Sequence, residues 1–219
     1  VTIYVSSDTT ILGFLCDDYT VGVYSVSVKI YSIVKTVLSS VLVVSIPRLS
    51  ALLGTNDKKK FNFVASDIYK TLLTVVIPAI VGIILLRNQI VLLLSDVTYI
   101  SASSSLLLLS VALFFCLGAW FWGQCILVPM KMEGTVFKIT VVSALVNIGL
   151  NFVLIPIWKE NAAALTTVIA EAISFIWCWY KGNKIVKLEG TIKSLLKIVI
   201  GIVILIGIFF LYAFKVEPK

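Results

Sequence analysis

Residues 21–46 read VGVYSVSVKIYSIVKTVLSSVLVVSI, and this stretch decides the fold. As a helix it would be about 39 Å long, enough to cross a bilayer core of roughly 30 Å. Two lysines, Lys29 and Lys35, interrupt its apolar character. A charge at bilayer depth costs about 2.5–3.5 kcal/mol and usually faces a protein interior or a water-filled cavity. The stretch therefore indicates a membrane helix in a protein that handles something polar.

The composition of the whole chain agrees with this interpretation. Of its 219 residues 60% are hydrophobic and 13% are charged, whereas a soluble domain averages roughly 45–50% and about 25%. The chain is therefore predicted to be an all-α integral membrane protein. It begins at Val1, without a methionine and inside an apolar segment, so we expect residues 1–219 to be a membrane-domain fragment.

Several function classes are excluded by residue types. The chain contains no histidine, which rules out a histidine metal site or proton relay. Its four cysteines have no CxxC spacing and are interpreted as small apolar side chains. Neither a catalytic site nor a metal or cofactor is predicted. The net charge of +7 comes from basic loops between apolar spans, so we expect contact with membrane lipids and no nucleic-acid partner.

Seven membrane spans are predicted, with short polar connections between them. The spans cover residues 1–15, 21–46, 64–86, 99–128, 136–158, 162–180 and 195–214. The longest polar connections are predicted over residues 48–62 and 181–193, and a tight turn over residues 159–161.

Basic residues are distributed unequally between the two sets of loops. One set holds nine of them: Arg48, Lys58, Lys59, Lys60, Lys131, Lys181, Lys184, Lys187 and Lys193. The other set holds four: Arg87, Lys159, Lys215 and Lys219. The positive-inside rule places the first set in the cytoplasm. The protein is thus expected to be multi-pass in the inner (plasma) membrane, with the turn at residues 16–19 outside.

Asp8 and Lys29 are predicted to lie at the same depth on adjacent antiparallel helices. Asp8 is roughly 10 Å below the outer end of the first span, and Lys29 roughly 12 Å below the start of the second, at 1.5 Å per residue. We expect the two side chains to pair or to share a cavity. A purely structural ion pair is the alternative.

Lys35 lies deeper and points elsewhere. It is about 120° around the helix from Lys29 and shares a stripe with Tyr31. It is a candidate for contact with a phosphate or sugar in a cavity. The alternative is a lysine that snorkels to the cytoplasmic interface.

Three further polar residues are predicted inside membrane helices. Asn147 and Asn151 share one helix face because they are four residues apart, and they are candidates for sugar binding or for helix packing. Glu171 lies roughly 15 Å into the sixth span. With Asp8 it is a candidate for ion or proton coupling, and a hydrogen bond that packs helices is the alternative.

Several segments together resemble a known family. They read DTTILGFLCDDYTVGVYSVSVKIYS (residues 8–32), IPRLSALLGTNDKKKF (46–61) and NIGLNFVLIPIWKENAAALTTVIAEAISF (147–175). In this order they resemble the C-terminal half of bacterial polysaccharide (O-antigen type) flippases, of the multidrug/oligosaccharidyl-lipid/polysaccharide exporter superfamily. One departure is the turn at residues 159–161, where that family often has a glycine.

The resemblance implies the second lobe of a two-lobe exporter fold, with the N-terminal lobe missing and acting as its partner. It implies alternating access and export of a lipid-linked oligosaccharide of the undecaprenyl-pyrophosphate type, as in polysaccharide and lipopolysaccharide biosynthesis. The anionic pyrophosphate gives Lys29 and Lys35 a plausible contact. Asp8, Tyr31, Asn147 and Asn151 complete the candidate substrate-cavity residues.

Two other functions remain open. A multidrug cation antiporter of the same superfamily needs an acidic cavity, and two lysines against Asp8 and Glu171 give no acidic excess. A membrane enzyme of polysaccharide assembly usually has a long external loop with arginine or histidine clusters. The spacing of the predicted spans leaves no room for such a loop, so a transporter without enzymatic activity is favoured.

Overall fold

The computed structural model describes residues 2–54, 57–190, 198–203 and 206–207. Over these ranges the chain consists of helices joined by short turns, and no strand occurs within them. The elements are α1 (Thr2–Leu15), α2 (Asp18–Gly54), α3 (Lys58–Leu94), a 3₁₀ turn (Val97–Tyr99), α4 (Ala102–Trp120), a π-helical turn (Phe121–Leu127) and α5 (Glu133–Gly182).

Four of these helices are long and apolar enough to cross a membrane: α2, α3, α4 with its π-helical turn, and α5. Helix α5 is broken at Lys159, whose backbone is non-helical (φ 49°, ψ −128°). The break separates a first arm (residues 133–158) from a second arm (160–182), as the fifth and sixth predicted spans require. The seventh predicted span, residues 195–214, lies mostly outside the described residues, so the count of seven stays a prediction.

The polar loop predicted over residues 48–62 is largely wrong. Helix α2 continues through Pro47 to Gly54, and α3 already begins at Lys58. Proline is tolerated in membrane helices because neighbouring groups satisfy the freed carbonyl. Leu49, just past the proline, is fully buried. Asp57 caps α3 by accepting a hydrogen bond of 3.0 Å from the Lys60 N–H, so the charged run opens a helix rather than extending a loop.

The turns alternate between two ends of the helix bundle, as predicted. At one end the Tyr19 hydroxyl donates to the Thr98 carbonyl at 2.7 Å, and Lys159 Nζ lies 3.9 Å from Asp17 Oδ2. Near the other end the Glu189 N–H donates to Ser66 Oγ at 2.9 Å. We call these the Asp17 end and the Glu189 end. Which of them faces the cytoplasm stays a prediction.

Helix α4 forms the centre of the bundle. In its most apolar stretch 61% of the residues are buried, against 39% or less in the other three candidate spans. A helix that is apolar all round belongs in an interior. A Cβ on its Gly118 would lie 2.6 Å from the Phe175 ring on the second arm of α5. The glycine therefore leaves room for the Phe175 ring where these two helices pack against each other.

Candidate functional site

The carboxylate of Asp8 accepts hydrogen bonds from three different helical segments. Tyr24 Oη on α2 donates to Oδ2 at 2.8 Å, and Thr167 Oγ1 on the second arm of α5 donates to the same oxygen at 2.6 Å. Asn151 Nδ2 on the first arm donates to Oδ1 at 2.5 Å. Asp8 is fully buried. Three neutral donors, rather than a cation, therefore satisfy the carboxylate.

A second layer of polar side chains supports these donors. Thr166 Oγ1 lies 2.5 Å from Asn151 Oδ1 and accepts from Asn147 Nδ2 at 3.3 Å. Asn147 and Asn151 share one face of the first arm, as their spacing predicted. The six side chains form a buried polar cluster, here called the Asp8 network: Asp8, Tyr24, Asn147, Asn151, Thr166 and Thr167.

The members of the Asp8 network lie at similar distances from the Asp17 end of the bundle. Asp8 and Tyr24 flank the turn at Asp17, and Asn151 and Thr167 flank the break at Lys159. Counted from Asp17 or Lys159, each is seven to nine residues away, roughly 10–14 Å along a helix. The sequence predicted the depth of Asp8 but not Thr166 or Thr167. The pair of adjacent threonines in an apolar span could have indicated a polar contact. It was not decisive, because a threonine hydroxyl in a helix can also donate to a backbone carbonyl of the preceding turn.

The predicted pair between Asp8 and Lys29 is not formed in this structure. The Lys29 side chain is exposed and lines a separate groove of about 250 Å³ with Ser25 and Leu94. Lys29 differs from the prediction both in its position along α2 and in the face of the helix that it occupies. Tyr24 faces Asp8, and Lys29 lies five residues further on, about 140° around α2.

A cavity of about 1000 Å³ lies between α2, α4, the π-helical turn and both arms of α5. It occupies the half of the bundle away from the Asp8 network and extends towards the Glu189 end. Its polar lining includes Lys35, Ser39, Cys116, Gln124, Glu171 and Ser174. We call it the Lys35 cavity.

The Lys35 cavity holds one cation and one acid among its described lining residues. Lys35 is half-buried, and its Nζ lies 5.7 Å from the centre of the Tyr31 ring. Glu171 is 1% exposed. The ion pairs within the described residues are Lys70–Asp67 and Lys159–Asp17, so Lys35 and Glu171 face the same space without direct contact.

Unsatisfied polar atoms border the Lys35 cavity. Glu171 Oε1 and Tyr31 Oη are buried and have no hydrogen-bond partner within the part of the chain that the structure describes. The Cys116 thiol lies close enough to interact with both side chains. Buried polar groups are normally paired, so this wall of the cavity differs sharply from the Asp8 network.

The π-helical turn shapes the wall contributed by α4. The Val128 N–H bonds to the Gly123 carbonyl at 2.9 Å, a spacing of five residues. Such widened turns occur mostly inside α-helices and frequently at functional sites. Gly123 and the exposed side chain of Gln124 lie in this turn and line the cavity. The widened turn was not predictable from the sequence, because Phe121–Leu127 continues the apolar pattern of α4.

The candidate residues thus lie in three places. Lys35 and Glu171 line the cavity, and Tyr31 is buried beside Lys35. Asp8, Asn147 and Asn151 belong to the Asp8 network, while Lys29 lies in a groove of its own. Contact of any of these residues with a substrate or a coupling ion stays a prediction.

Comparison with known proteins gives the family. A family model described as "Lipid II flippase MurJ" matches residues 9–218. The chain belongs to the MurJ lipid II flippase family. A solved structure titled "Lipid II flippase MurJ, inward closed conformation" matches with a TM-score of 0.81 and 22% identity, over 99% of this chain and 45% of that one. No curated protein matches the chain.

This membership confirms a lipid-linked flippase family within the exporter superfamily. It does not support the narrower O-antigen type, because the matching model describes a lipid II flippase. A flippase is a transporter rather than an enzyme. Together with four long apolar helices, the family also confirms a multi-pass protein of the inner membrane. The solved MurJ chain is about twice as long as this one.

Proposed function

We propose that the chain forms the C-terminal lobe of a flippase that moves a lipid-linked saccharide precursor from the cytoplasmic to the outer leaflet by alternating access. The observation that carries this proposal is the Lys35 cavity. Its volume of about 1000 Å³ is at the upper end of the range for small-molecule sites. Lys35 inside it offers a cation to an anionic headgroup.

The proposed substrate is lipid II. Membership of the MurJ family supports this choice over the polysaccharide repeat units expected from the sequence. Both substrates present a pyrophosphate on a lipid carrier, so the chemistry that Lys35 recognises is common to the two. Lys29 is a second candidate contact from its own groove, and Tyr31, Asn147 and Asn151 are candidates in other states of the transport cycle.

An N-terminal lobe of the same protein is the proposed partner of this chain. Only 22% of the most apolar stretch of α2 is buried, and Lys29 on it is exposed at membrane depth. A lysine facing lipid there would be costly. A second lobe packed across α2 would place Lys29 against protein or in a hydrated path between lobes.

The other two functions are less compatible with the site. A cavity for cationic drugs would need an excess of acid, yet its described lining has one lysine and one glutamate. A polymerase or ligase would need reacting groups assembled at one end of the bundle. The family description of a flippase favours transport over both.

Asp8 and Glu171 are the proposed ion-coupling residues. Asp8 collects three donors without a cation, and oxygens of Asn147, Asn151 and Thr166 lie around it. Loss or gain of a proton or a monovalent cation at Asp8 would change the hydrogen bonds that join α1, α2 and both arms of α5. Coupling at this site would therefore act directly on helix packing.

Complementation tests the proposed substrate. The complete protein that carries this chain is expressed in two bacterial strains, one depleted of its lipid II flippase and one lacking its O-antigen flippase. The proposal predicts rescue and clearance of accumulated lipid II in the first strain only. Rescue of the second strain alone would replace lipid II by polysaccharide repeat units. Rescue of neither, with expression confirmed, would count against a flippase.

Reconstituted vesicles test ion coupling. Transport is measured under an imposed sodium gradient, a proton gradient or neither, for the wild type and for Asp8→Asn. Coupling predicts that one gradient accelerates the wild type and that Asp8→Asn removes the acceleration. Equal rates under all three conditions would reject Asp8 as a coupling residue.

A further inference from the structure

The Lys35 cavity contains an acid that binding of an anion does not require. Glu171 projects from the second arm of α5, is 1% exposed, and leaves Oε1 without a hydrogen bond. Burying a carboxylate with one oxygen unpaired is costly. The described hydrogen bonds do not explain why the residue at this position carries a charge. The opposite charge in the same cavity is that of Lys35.

We propose that Glu171 is the resident counter-ion of Lys35, and that the diphosphate of the substrate takes its place. This inference rests on the proposed function. Glu171 is a positioning residue in this account, because it acts on the substrate through Lys35.

The placement of the two side chains suits an exchange of partners. They project from α2 and from α5 into one cavity, and opposite charges attract each other more strongly in such a partly desolvated space than in water. The lysine stem is long and flexible, and its ammonium forms no directional fork. Lys35 can therefore turn from the carboxylate to a phosphate without a movement of its helix.

The surroundings leave few competing charges. Among the described residues, the other titratable side chains around Glu171 are Tyr31 on α2, Cys116 on α4 and Cys178 on the second arm. Lys35 is the single cation in the described lining of the cavity. Without Glu171, Lys35 would snorkel towards the Glu189 end, as lysines in membrane helices do. With Glu171 present, the ammonium stays inside the cavity, and the substrate must displace the acid.

Binding measurements on the complete detergent-purified protein test this exchange. The probes are undecaprenyl diphosphate and uncharged undecaprenol. Glu171→Gln should bind undecaprenyl diphosphate about tenfold more tightly, the scale of one charge interaction in a partly desolvated site. Affinity for undecaprenol should not change. Glu133→Gln, which removes an exposed carboxylate from the same helix, is the matched control and should behave as the wild type.

The double variant separates a counter-ion from simple repulsion. Lys35→Gln should weaken diphosphate binding, and adding Glu171→Gln to it should have no further effect. If Glu171→Gln tightens binding equally with and without Lys35, the acid repels the diphosphate directly and the inference is wrong. An unchanged affinity in Glu171→Gln would also reject it.

Folding and the proposed function have separate readouts. If Glu171→Gln alone does not fold, the double variant should recover a monodisperse protein, because it removes both charges. Failure of that recovery would overturn the pairing. If the wild type does not bind undecaprenyl diphosphate, the proposed function fails and the inference falls with it. Wild-type binding that Glu171→Gln leaves unchanged defeats the inference alone.

Discussion

The Asp8 network and the Lys35 cavity contain similar groups and treat them in opposite ways. In the network a carboxylate receives three hydrogen bonds and is closed off from solvent. At the cavity one carboxylate oxygen of Glu171 and the Tyr31 hydroxyl have no hydrogen-bond partner among the described residues, beside about 1000 Å³ of space. Polar groups that are all hydrogen-bonded to one another fix how the helices pack. Unpaired polar groups at the edge of a cavity are available to bind a ligand. One region suits the control of conformation and the other suits a substrate.

The largest effect is expected from Asp8→Ala. The substitution leaves the donors of Tyr24, Asn151 and Thr167 without their acceptor in a buried site. Each unpaired buried group costs about 1–3 kcal/mol, so we expect a loss of at least about 3 kcal/mol of stability. Thermal unfolding in detergent measures it, with Asp67→Ala as an exposed control on α3. Equal stability of the two variants would show that the network does not hold the helices together.

Gly118→Ala should have the next largest effect, because Gly118 lies where α4 meets the arm that carries both Thr167 and Glu171. Its new Cβ would be 2.6 Å from the Phe175 ring. Overpacking of this kind costs about 1–3 kcal/mol. Gly149→Ala is the matched control, because a Cβ there meets no atom within 4 Å. Unfolding temperatures measure the difference between the two variants. Equal unfolding temperatures would contradict the tight packing at Gly118.

Lys35→Met should impair transport more than it impairs stability. Removal of a charge contact of about 1.4 kcal/mol lowers affinity tenfold, so initial flipping rates in vesicles at low substrate should fall about tenfold. Lys29→Met is the comparison, since that lysine lies outside the cavity. If both variants transport at the rate of the wild type, the functional role proposed for these lysines is wrong.

The smallest effect is expected at the Asp17 end. Hydrogen bonds from Thr20, with Lys159 nearby, hold the pKa of Asp17 below its usual range. A lowered pKa in the folded protein means that the stabilisation is present above about pH 4 and disappears as the pH falls further. Asp17 is exposed, so the effect is weak. As the pH falls below about 4, Asp17→Asn should lose slightly less stability than the wild type, measured as unfolding temperature against pH. A larger loss in the variant would contradict the predicted direction.

Most helices were predictable from the sequence, and the faces that they turn towards one another were not. Runs of about 20 apolar residues indicated the spans, and a spacing of four residues placed Asn147 and Asn151 on one helix face. The helix ends around Pro47 and Lys58 were misjudged, because α2 continues through Pro47 and Asp57 caps α3 directly before the lysines. Lys29 was assigned to Asp8 because depth alone does not say which face of α2 a residue occupies.

The division between network and cavity required the three-dimensional structure. Asp8 and Thr167 are 159 residues apart in sequence, and Thr167 Oγ1 lies 2.6 Å from the carboxylate. The sequence singled out Glu171 by its depth, yet its missing partner and its position opposite Lys35 follow only from packing.

Cysteine accessibility tests the contrast between the two regions most directly. Ser40 lines the Lys35 cavity and is exposed, so a cysteine there reports on the cavity while Lys35 stays in place. In the complete protein with all its native cysteines replaced by serine, Ser40→Cys and Thr167→Cys are exposed to a membrane-impermeant maleimide from the Glu189 side. The account predicts labelling of Ser40→Cys, protection by undecaprenyl diphosphate, and labelling of Thr167→Cys at least about tenfold slower, since it must await local opening. Equal labelling of both, without protection, would contradict a substrate cavity distinct from a closed network.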